Sequence, residues 1–561
     1  MYNSMKKIYT LIIAVVSLTV IAASCSKDAF NDKYLDPSKT TTATCDKLMT
    51  GSFIAGNQNT FNSYWRMYTW DYNFGKYAQT IGFNNNSGTV YYINDGYAND
   101  RWNNFYDILR NFRVMQSIYE KESEEDQAED KLFLDVTEVF VIDHLSQLVD
   151  LWGPVPYSQA CYLGITGDYA GSFAAYDDDK ALYQNMLERL DVLYTELTAL
   201  QSSVKAVTLS KLTKQDFINK GDVDKWIRYC NTLMLRLAVH VSAQGDLTSV
   251  GRSYVAKAAA RPLVSNLENT IEVESDADGF RYDENFRDGF KDINNTASQP
   301  IIDALQATGA NDPRLAVIYM PTVTAYAGGE DADDVAYAAG EFFGKSTAET
   351  TNQQTVRGGS NHNTEETRYY ARLNGKTFTY NNYMVSPILS AAEAWFLLAE
   401  AYQQGYASGS AETAFKNGVK YSILAYYKSN INSQSPKVSS STQANDFQAE
   451  AYPSDATINE FANNYWSGAS NKLELIMTQK WVHFGILQAT QAWTDIRRTG
   501  YPDLYYPDDS ADNNGYKSIP QRVKYPNTDA ASNAANYKVA ADATNGDSAY
   551  YTLFWAKTLG D

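Results

Sequence analysis

Residues that could carry out catalysis are few in this sequence, and their spacing does not match known catalytic motifs. The chain has only four histidines, and none forms the His-Glu-x-x-His pair of a metalloprotease. The sequence also lacks the Gly-x-Ser-x-Gly turn of serine hydrolases, the phosphate-binding Walker loop and the dinucleotide-binding Gly-x-Gly-x-x-Gly loop. The 66 acidic residues leave a glycosidase-type carboxylate pair open, since separation in space defines such a pair. The motifs therefore give no positive indication of an enzyme.

Binding chemistry is concentrated in one stretch rich in aromatic and amide side chains, Asn73–Asp100, and in the positions just before it. Flat tyrosine and tryptophan rings can stack on the C–H faces of sugars, and amides can bind the hydroxyls. The candidate ligand-binding residues are Trp70, Tyr72, Tyr77, Asn84, Asn85, Asn86, Tyr91 and Tyr92. The alternative is a packed loop in which the tyrosines fill space. If the residues bind ligand, alanine at Trp70, Tyr91 and Tyr92 should weaken binding and leave the melting curve unchanged.

A second candidate stretch, Met320–Tyr383, contributes Arg357 and Tyr369 as ligand-binding residues. It is rich in Gly, Asn and Thr, a composition that favours loops. Long loops within a folded domain are usually functional or disordered. The same stretch could equally be a surface buried against a partner protein.

One near-motif for a metal ion begins at Glu274. Together with Asp276, Asp278 and Gly279 it copies the opening of a calcium-binding EF-hand loop. The bidentate Glu required at the twelfth position is replaced by Asn285, and no convincing helix flanks the segment. We therefore expect a solvated acidic turn and no cofactor, with calcium as the alternative.

Composition limits the possible partners. The chain has 561 residues, with 47 Lys and Arg against 66 Asp and Glu, and its net charge is −19. A surface with this much negative charge repels the phosphate backbone of DNA or RNA, which argues against nucleic acid as a partner. It also disfavours anionic lipid headgroups, but it is compatible with a covalent lipid anchor. The 43 tyrosines suit interfaces and sugar-facing surfaces, because tyrosine is amphipathic and stiff.

The first 24 residues have the pattern of a secretory signal peptide. Two lysines near the start precede an uncharged apolar run, Ile8–Ser24, which ends in small residues. The sequence Ala22-Ala23-Ser24-Cys25 resembles the lipobox of bacterial lipoproteins, in which cleavage leaves a lipid-bearing cysteine at the N-terminus. We expect residues 1–24 to be removed, Cys25 to carry lipid and residues 25–44 to form a polar tether. The alternative is a soluble periplasmic or secreted protein.

Apolar side chains at helical spacing predict the elements of the remaining body, 45–561. The expected helices are 182–200, Lys131–Leu151, Lys225–Ser242, Ser390–Gln404, Ala411–Tyr427 and Leu473–Gln488. The fourth and fifth have the dimensions of a tetratricopeptide-type hairpin with small residues between the helices. Long non-helical insertions are expected at about 73–100, 320–383, 430–465 and 505–550, and also at 274–296. His144 and His240 lie in predicted helices, which favours packed or hydrogen-bonded roles.

Several segments, taken in order, resemble the SusD/RagB family of outer-membrane nutrient-binding lipoproteins. The resemblance extends from Cys25 to the C-terminus. The segments that carry it are Tyr77-Ala78-Gln79, Trp102-Asn103-Asn104-Phe105-Tyr106, Leu151-Trp152-Gly153-Pro154-Val155-Pro156-Tyr157, Lys225-Trp226-Ile227, Asp312-Pro313-Arg314, Ala392-Glu393-Ala394-Trp395 and Ala492-Trp493 with Arg497-Arg498-Thr499-Gly500. Pro154 replaces the acid usual in the third of these. We expect Trp226, Trp395 and Trp493 to lie in the core, and Arg497 and Arg498 to pair with buried helix ends or carboxylates.

The resemblance implies a mainly helical fold with four tetratricopeptide-like helix pairs, long aromatic-rich loops and little β-structure. It also implies a non-catalytic protein that is anchored by lipid in the outer membrane and faces the cell exterior. Such a protein would capture oligosaccharide or polysaccharide for a SusC-type TonB-dependent transporter. The alternatives are the same accessory role with peptide or another nutrient as cargo, and an enzyme or structural surface protein on this scaffold.

Overall fold

Helices form most of the body that follows Thr44, as a computed structural model shows. The structure describes residues 43–60, 66–82, 90–274, 295–323, 338–349, 369–378, 383–433 and 451–557, with the single positions 325, 336, 354, 381, 449 and 559. The predicted signal peptide and Cys25 lie outside these residues.

The helices of eight or more residues are α1 (Cys45–Ala55), α2 (Asp95–Tyr119), α3 (Glu124–Trp152), α4 (Asp179–Ser203), α5 (Ala206–Gln215), α6 (Val223–His240), α7 (Thr248–Ala259), α8 (Gln299–Gln306), α9 (Ala391–Gln403), α10 (Ala411–Ile431), α11 (Asp455–Gly468), α12 (Lys472–Phe484), α13 (Ala489–Thr499) and α14 (Ala534–Ala543). Shorter helical turns are Asn57–Thr60, Arg66–Asp71, Tyr72–Tyr77, Leu163–Thr166, Ala170–Ser172, Pro313–Ile318 and Asn527–Ser532. The strands are β1 (Ile271–Val273), β2 (Tyr319–Met320), β3 (Arg372–Leu373) and β4 (Ser386–Leu389).

The β-structure in the described residues is limited to two small antiparallel ladders and isolated bridges. Strand β1 pairs with β4, and β2 pairs with β3. The prediction of a mainly helical fold with little β-structure is confirmed.

All six helices expected from apolar spacing are present as α3, α4, α6, α9, α10 and α12. Helix α10 begins where its sequence indicates, because Ser410 Oγ accepts a hydrogen bond from the Thr413 backbone N–H at 3.2 Å. This bond satisfies one of the free N–H groups of the first turn. Helix pairs close in sequence that pack against each other include α2 with α3, α4 with α6, α6 with α7, α9 with α10, and α12 with α13.

The contact between α9 and α10 depends on a glycine. A Cβ atom at Gly418 of α10 would lie 2.6 Å from the ring of Phe396 on α9, closer than real carbon contacts allow. The small residues expected between these helices do permit a close approach.

Three of the segments predicted to be irregular, 73–100, 430–465 and 505–550, contain helices, so that part of the prediction is wrong. Helix α11 lies within 430–465 and beyond, and α14 lies within 505–550. Ile458, Ala462 and Tyr465 are buried at spacings of four and three along α11, which is the signal that the polar composition obscured. Helix α2, which begins inside 73–100, was also missed, although Trp102, Phe105 and Phe112 form its buried face.

Trp226, Trp493 and Arg497 have the structural roles expected of them, whereas Trp395 lies at the edge of the core and not inside it. Trp226 and Trp493 are fully buried, and half-buried Trp395 donates its indole N–H to the carbonyl of Ser265 at 2.9 Å. Arg497 Nη1 donates to the carbonyl of Asp150, at the end of α3, at 2.8 Å. These side chains therefore make structural contacts, with helix ends or within aromatic packing.

A buried carboxyl in α3 predicts a pH-dependent contribution to stability. Asp135 is fully buried next to Lys131. Burial raises the pKa of Asp135 to about 7, and the ion pair with Lys131 only partly opposes it. The pKa of an aspartate in the unfolded chain is about 3.9. Between those two pH values the folded state holds the extra proton, so this residue's contribution to the free energy of unfolding falls as pH rises.

Asp135→Asn should therefore flatten the pH dependence of stability. We expect the free energy of unfolding of wild type to decline relative to the variant between about pH 4 and 7, by at most ~1.4 kcal/mol per pH unit. Urea unfolding at three pH values measures this, with exposed Glu125→Gln on the same helix as the control. Parallel pH profiles for wild type and Asp135→Asn would contradict the expectation.

Candidate ligand-binding surface

Three of the predicted ligand-binding rings lie in the core. Trp70 is 5% exposed, and Tyr77 and Tyr91 are fully buried. Trp70 stacks on Phe74 with ring centroids 5.2 Å apart and planes 7° from parallel, and Phe74 stacks in turn on Trp493. Covered rings offer no face to a sugar, so the prediction that these three side chains lie on the binding surface is contradicted by their burial.

The buried tyrosines fix the position of a distant segment. Tyr91 donates its hydroxyl to the carbonyl of Pro507 at 2.6 Å, and Tyr506 donates to the carbonyl of Tyr77 at 2.7 Å. Tyr77 also donates to the carbonyl of Tyr91. Burial raises the pKa of Tyr77, Tyr91 and Tyr506, so the three hydroxyls stay protonated and remain donors. Together these bonds attach segment 505–509 to the Tyr72–Tyr77 turn.

The other predicted candidates are partly exposed or lie outside the described residues. Tyr72, Tyr92 and Tyr369 are half-buried. The ammonium of Lys76 lies 5.1 Å from the Tyr72 ring centroid, and the Tyr92 ring contacts Tyr516 edge to face at 6.0 Å. The candidates outside the described residues are Asn84, Asn85, Asn86 and Arg357.

Three segments far apart in sequence meet at the backbone of Tyr505. Its carbonyl accepts hydrogen bonds from Gln79 Nε2 at 2.8 Å and from Thr347 Oγ1 at 3.2 Å. Asp509, four residues later, accepts a bond from the backbone N–H of Val90 at 3.1 Å. The described parts of the predicted insertions at 73–100, 320–383 and 505–550 therefore converge.

Exposed aromatic rings lie on the segment where these insertions meet. The side chain of Tyr505 is 64% exposed and that of Tyr550 is 41% exposed. The Tyr550 hydroxyl accepts bonds from the backbone N–H groups of Lys517 and Ser518 at 2.7 and 3.0 Å, which fixes this ring against segment 505–518. We name Tyr92, Tyr505 and Tyr550 the tyrosine surface.

Polar groups accompany these rings. Asp508, Asp512 and Asn514 are exposed on the same segment. Asp508 Oδ1 accepts a bond from Ser518 Oγ at 2.5 Å. Rings for stacking beside carboxylates and amides for hydroxyl groups form an arrangement suited to sugars. Tyr505 and Tyr550 were not singled out from the sequence, and the only sequence signal was the tyrosine-rich, acidic composition around Asp508.

The buried histidines are part of structural hydrogen bonds. His483 Nε2 lies 2.7 Å from Ser390 Oγ, and its Nδ1 lies 3.2 Å from Ser422 Oγ. Burial lowers the pKa of His483 to about 3, assisted by Arg314 and Lys480, so the imidazole is a weak base at neutral pH. Ser390 Oγ also accepts the N–H of Glu393 at the start of α9. The Ser390–His483 pair is thus a helix cap and not an activated nucleophile.

Among the described residues, one group of side chains has the spacing of metal ligands. It comprises Cys45, Glu122 and Asp130, whose ligand atoms lie within 4.8 Å of one another. Burial raises the pKa of all three groups. The Cys45 thiol therefore stays protonated at neutral pH, and a thiol binds metals far more weakly than a thiolate. In the near-motif for calcium, Glu274 forms an ion pair with Lys220, and the other positions of the motif lie outside the described residues.

Comparison with known proteins identifies the family. The sequence profile of the SusD-like family, described as "Starch-binding associating with outer membrane", matches residues 37–526. The chain belongs to the SusD-like family. The resemblance inferred from the sequence motifs is confirmed, and this family is associated with the outer membrane. No curated protein sequence matches the chain.

Solved SusD-like structures share the fold. A chitin-binding protein is similar with a TM-score of 0.68 and 21% identity, covering 91% of this chain and 99% of its own. A SusD homologue from Bacteroides vulgatus has a TM-score of 0.64 and 21% identity, with coverages of 91% and 98%. A chitin-binding SusD homologue from Flavobacterium johnsoniae has a TM-score of 0.62 and 18% identity, with coverages of 90% and 98%.

A helix that crosses a bilayer must be long and almost wholly apolar. None of the described helices of this chain combines the length and the apolar character needed to cross a bilayer.

Proposed function

We propose that this SusD-like protein captures glycans at the cell surface for import, without catalysing a reaction on them. The observation that carries the proposal is the family match over residues 37–526, in a family described as starch-binding and associated with the outer membrane. Two proteins of similar fold are described as chitin-binding. Starch and chitin are both polysaccharides, so the shared chemistry is a chain of linked sugar rings.

The tyrosine surface is the proposed glycan contact. Tyr505 exposes most of its ring while its carbonyl is held by Gln79 and Thr347. A ring on a fixed backbone loses little freedom when a sugar stacks on it, which favours binding. The exposed Asp508 and Asn514 can accept and donate hydrogen bonds to hydroxyl groups.

A binding screen of the body from Cys45 onward tests the proposed function. The probes are maltoheptaose for starch, chitohexaose for chitin, a wider glycan panel and a panel of short peptides. Binding of at least one glycan, measured by calorimetry, supports the proposal. Binding of peptides alone would contradict glycan capture and support the alternative cargo.

Tyr505→Ala should weaken glycan binding and leave the fold intact. We expect the dissociation constant of the glycan selected by the screen to rise about tenfold, or ~1.4 kcal/mol, because the sugar loses its stacking partner. Tyr505→Phe keeps the ring and should bind like wild type. Tyr169 is 69% exposed and packs on Phe173, outside the tyrosine surface, so Tyr169→Ala is the matched control. Equal affinities for Tyr505→Ala and Tyr169→Ala would exclude the tyrosine surface as the contact.

The proposed location and partner depend on the N-terminus. Lipid on Cys25 would hold the body at the outer membrane, facing outward, and a SusC-type TonB-dependent transporter would receive the glycan. No metal or cofactor is required. Cys25→Ala should shift the protein from the outer-membrane fraction to the soluble fraction, as immunoblots of fractionated cells would show. Retention of the variant in the membrane would contradict the lipid anchor, and failure of wild type to co-purify with a transporter would contradict the partner.

A further inference from the structure

A polar cavity of about 60 Å³ lies next to Trp70, where α2, α3, α6, β4 and the start of α13 meet the short turns Asn57–Thr60 and Arg66–Asp71. Its charged and polar lining includes Arg66, Asp71, Arg101, Asp143, His144 and Arg236. The volume is enough for about four to six water-sized groups. None of the roles described above uses this cavity.

Arg101 of α2 lacks a charge partner in this cavity. Its side chain is 2% exposed, and within the described residues it forms no ion pair. Nη2 donates to the neutral amide oxygen of Gln147 at 3.3 Å, and Nη1 has no acceptor at all. Burial lowers the pKa of Arg101 to about 10, with Asp143 opposing, so the guanidinium remains charged at neutral pH. A buried cation normally has an anion in contact with it.

A second polar atom without a hydrogen-bond partner among the described residues is Nδ1 of His144, on α3. The residue is 4% exposed, and its Nε2 lies 3.2 Å from Thr60 Oγ1. Nδ1 has no hydrogen-bond partner in the described part of the chain. Burial lowers the pKa of His144, and Arg101 and Arg66 lower it further, so the ring is neutral. When Nε2 accepts from Thr60, Nδ1 carries the ring hydrogen and is a free donor.

The carboxylates that line the cavity already have other partners. Asp71 lies 3.2 Å from Arg66 Nε. Asp143 accepts bonds from the Tyr229 hydroxyl and from Gln147 Nε2. Neither carboxylate lies within ion-pair distance of Arg101, so no anion among the described residues contacts its guanidinium.

Arg236, the third arginine of the lining, already has carboxylate partners. Glu393 holds its Nε at 2.6 Å and its Nη2 at 2.8 Å, and Asp143 lies 3.4 Å from its Nη1. Glu393 and Asp143 are therefore both engaged by Arg236, and neither forms an ion pair with Arg101.

We propose that the polar cavity binds a small oxyanion, of the size of a carboxylate or a sulfate, with Arg101 Nη1 and His144 Nδ1 as its donors. The cavity has the volume for such a group, and the two donors are buried without acceptors. The oxyanion site is separate from the tyrosine surface and does not depend on the proposed glycan function.

A heavy-atom oxyanion tests the site directly. Crystals of the body grown without sulfate, phosphate or carboxylate buffers would be soaked in sodium selenate, and selenium located by anomalous scattering. We expect a selenium peak in the polar cavity with an oxygen in hydrogen-bond distance of Arg101 Nη1. The proposal would be overturned if the cavity contained water density alone. It would also be overturned if selenium were found on the protein surface and not in the cavity, which would mark it as an adventitious ion only.

Calorimetry in solution provides an independent measurement. Sodium sulfate would be titrated at constant ionic strength into wild type, Arg101→Gln and Arg110→Gln. Arg110 lies on the same helix with a 64% exposed side chain, so its substitution removes an equal charge outside the cavity. We expect at least tenfold weaker binding for Arg101→Gln and wild-type binding for Arg110→Gln. Equal weakening in both variants would overturn the proposal, and if Arg101→Gln does not fold, the selenate measurement on wild type decides.

Discussion

Arg498→Met is expected to lower the free energy of unfolding by about 3–5 kcal/mol, because it leaves the buried carboxylate of Glu400 without its cation and that of Asp495 with Lys480 alone. Arg498 is fully buried. Its Nη2 lies 2.8 Å from Glu400 Oε2 and 2.9 Å from Asp495 Oδ1. The Arg498 pairs connect α13 to α9, since Glu400 belongs to the latter helix. The measurement is the midpoint and slope of urea unfolding.

The pKa of Asp495 shows why the loss is large. Burial alone would raise this pKa, but Lys480 and Arg498 outweigh it and hold the pKa below its usual value. Because the folded-state pKa is depressed, the stabilisation is present above about pH 3.9 and is lost as pH falls below that value. The loss in free energy of unfolding caused by Arg498→Met should therefore reach its full size at neutral pH.

Two further variants separate the buried pair from general effects of removing an arginine. Arg110→Met breaks an exposed pair with Asp107 and should change stability by at most about 0.5 kcal/mol. Adding Glu400→Gln to Arg498→Met removes one stranded charge and should recover part of the loss. A loss for Arg498→Met no larger than that of Arg110→Met would contradict the role assigned to the buried pairs.

Trp70→Ala is expected to destabilise the fold by about 3–5 kcal/mol, as is typical when a large buried ring is truncated. The ring stacks on Phe74 and contacts Trp152 edge to face at 6.3 Å. Its removal leaves a cavity at the junction of the Tyr72–Tyr77 turn and α3. Urea unfolding measures the loss, with Tyr505→Ala as the exposed control, expected within about 0.5 kcal/mol of wild type.

The same two variants should show the opposite order in glycan affinity. For molecules that remain folded, Trp70→Ala should bind glycan nearly as wild type does, while Tyr505→Ala should bind about tenfold more weakly. An unchanged melting curve for Trp70→Ala together with lost glycan binding would restore Trp70 as a ligand contact and contradict its core assignment.

The sequence was sufficient to predict six of the described helices, because their signals are local. The apolar stripe of α4 recurs every three or four residues and the Ser410 cap of α10 lies within one helical turn, and both are present in the structure. The helix α11 was missed because Asn459, Asn463 and Asn464 lie between its buried apolar residues, and Ser467 and Gly468 follow them. These residue types favour turns when their positions on the helix are ignored.

The binding surface was less predictable, because the exposure of a ring depends on residues far away in sequence. The local sequence does not distinguish Tyr77 from Tyr505, because both lie in polar, tyrosine-rich stretches. Tyr77 is covered by Tyr91 and by Trp493, more than 400 residues later, whereas Tyr505 is covered by neither. Such pairings follow from the packing of the helices and cannot be read from local composition.

The most direct test of glycan capture at the tyrosine surface is a structure of the body with a bound oligosaccharide. Maltoheptaose and chitohexaose are the first probes, followed by any other glycan that binds in the screen. The account predicts a sugar ring stacked on Tyr505, with hydroxyl groups in hydrogen-bond distance of polar side chains on segment 505–518. A glycan bound elsewhere with Tyr505 still open to solvent would contradict it.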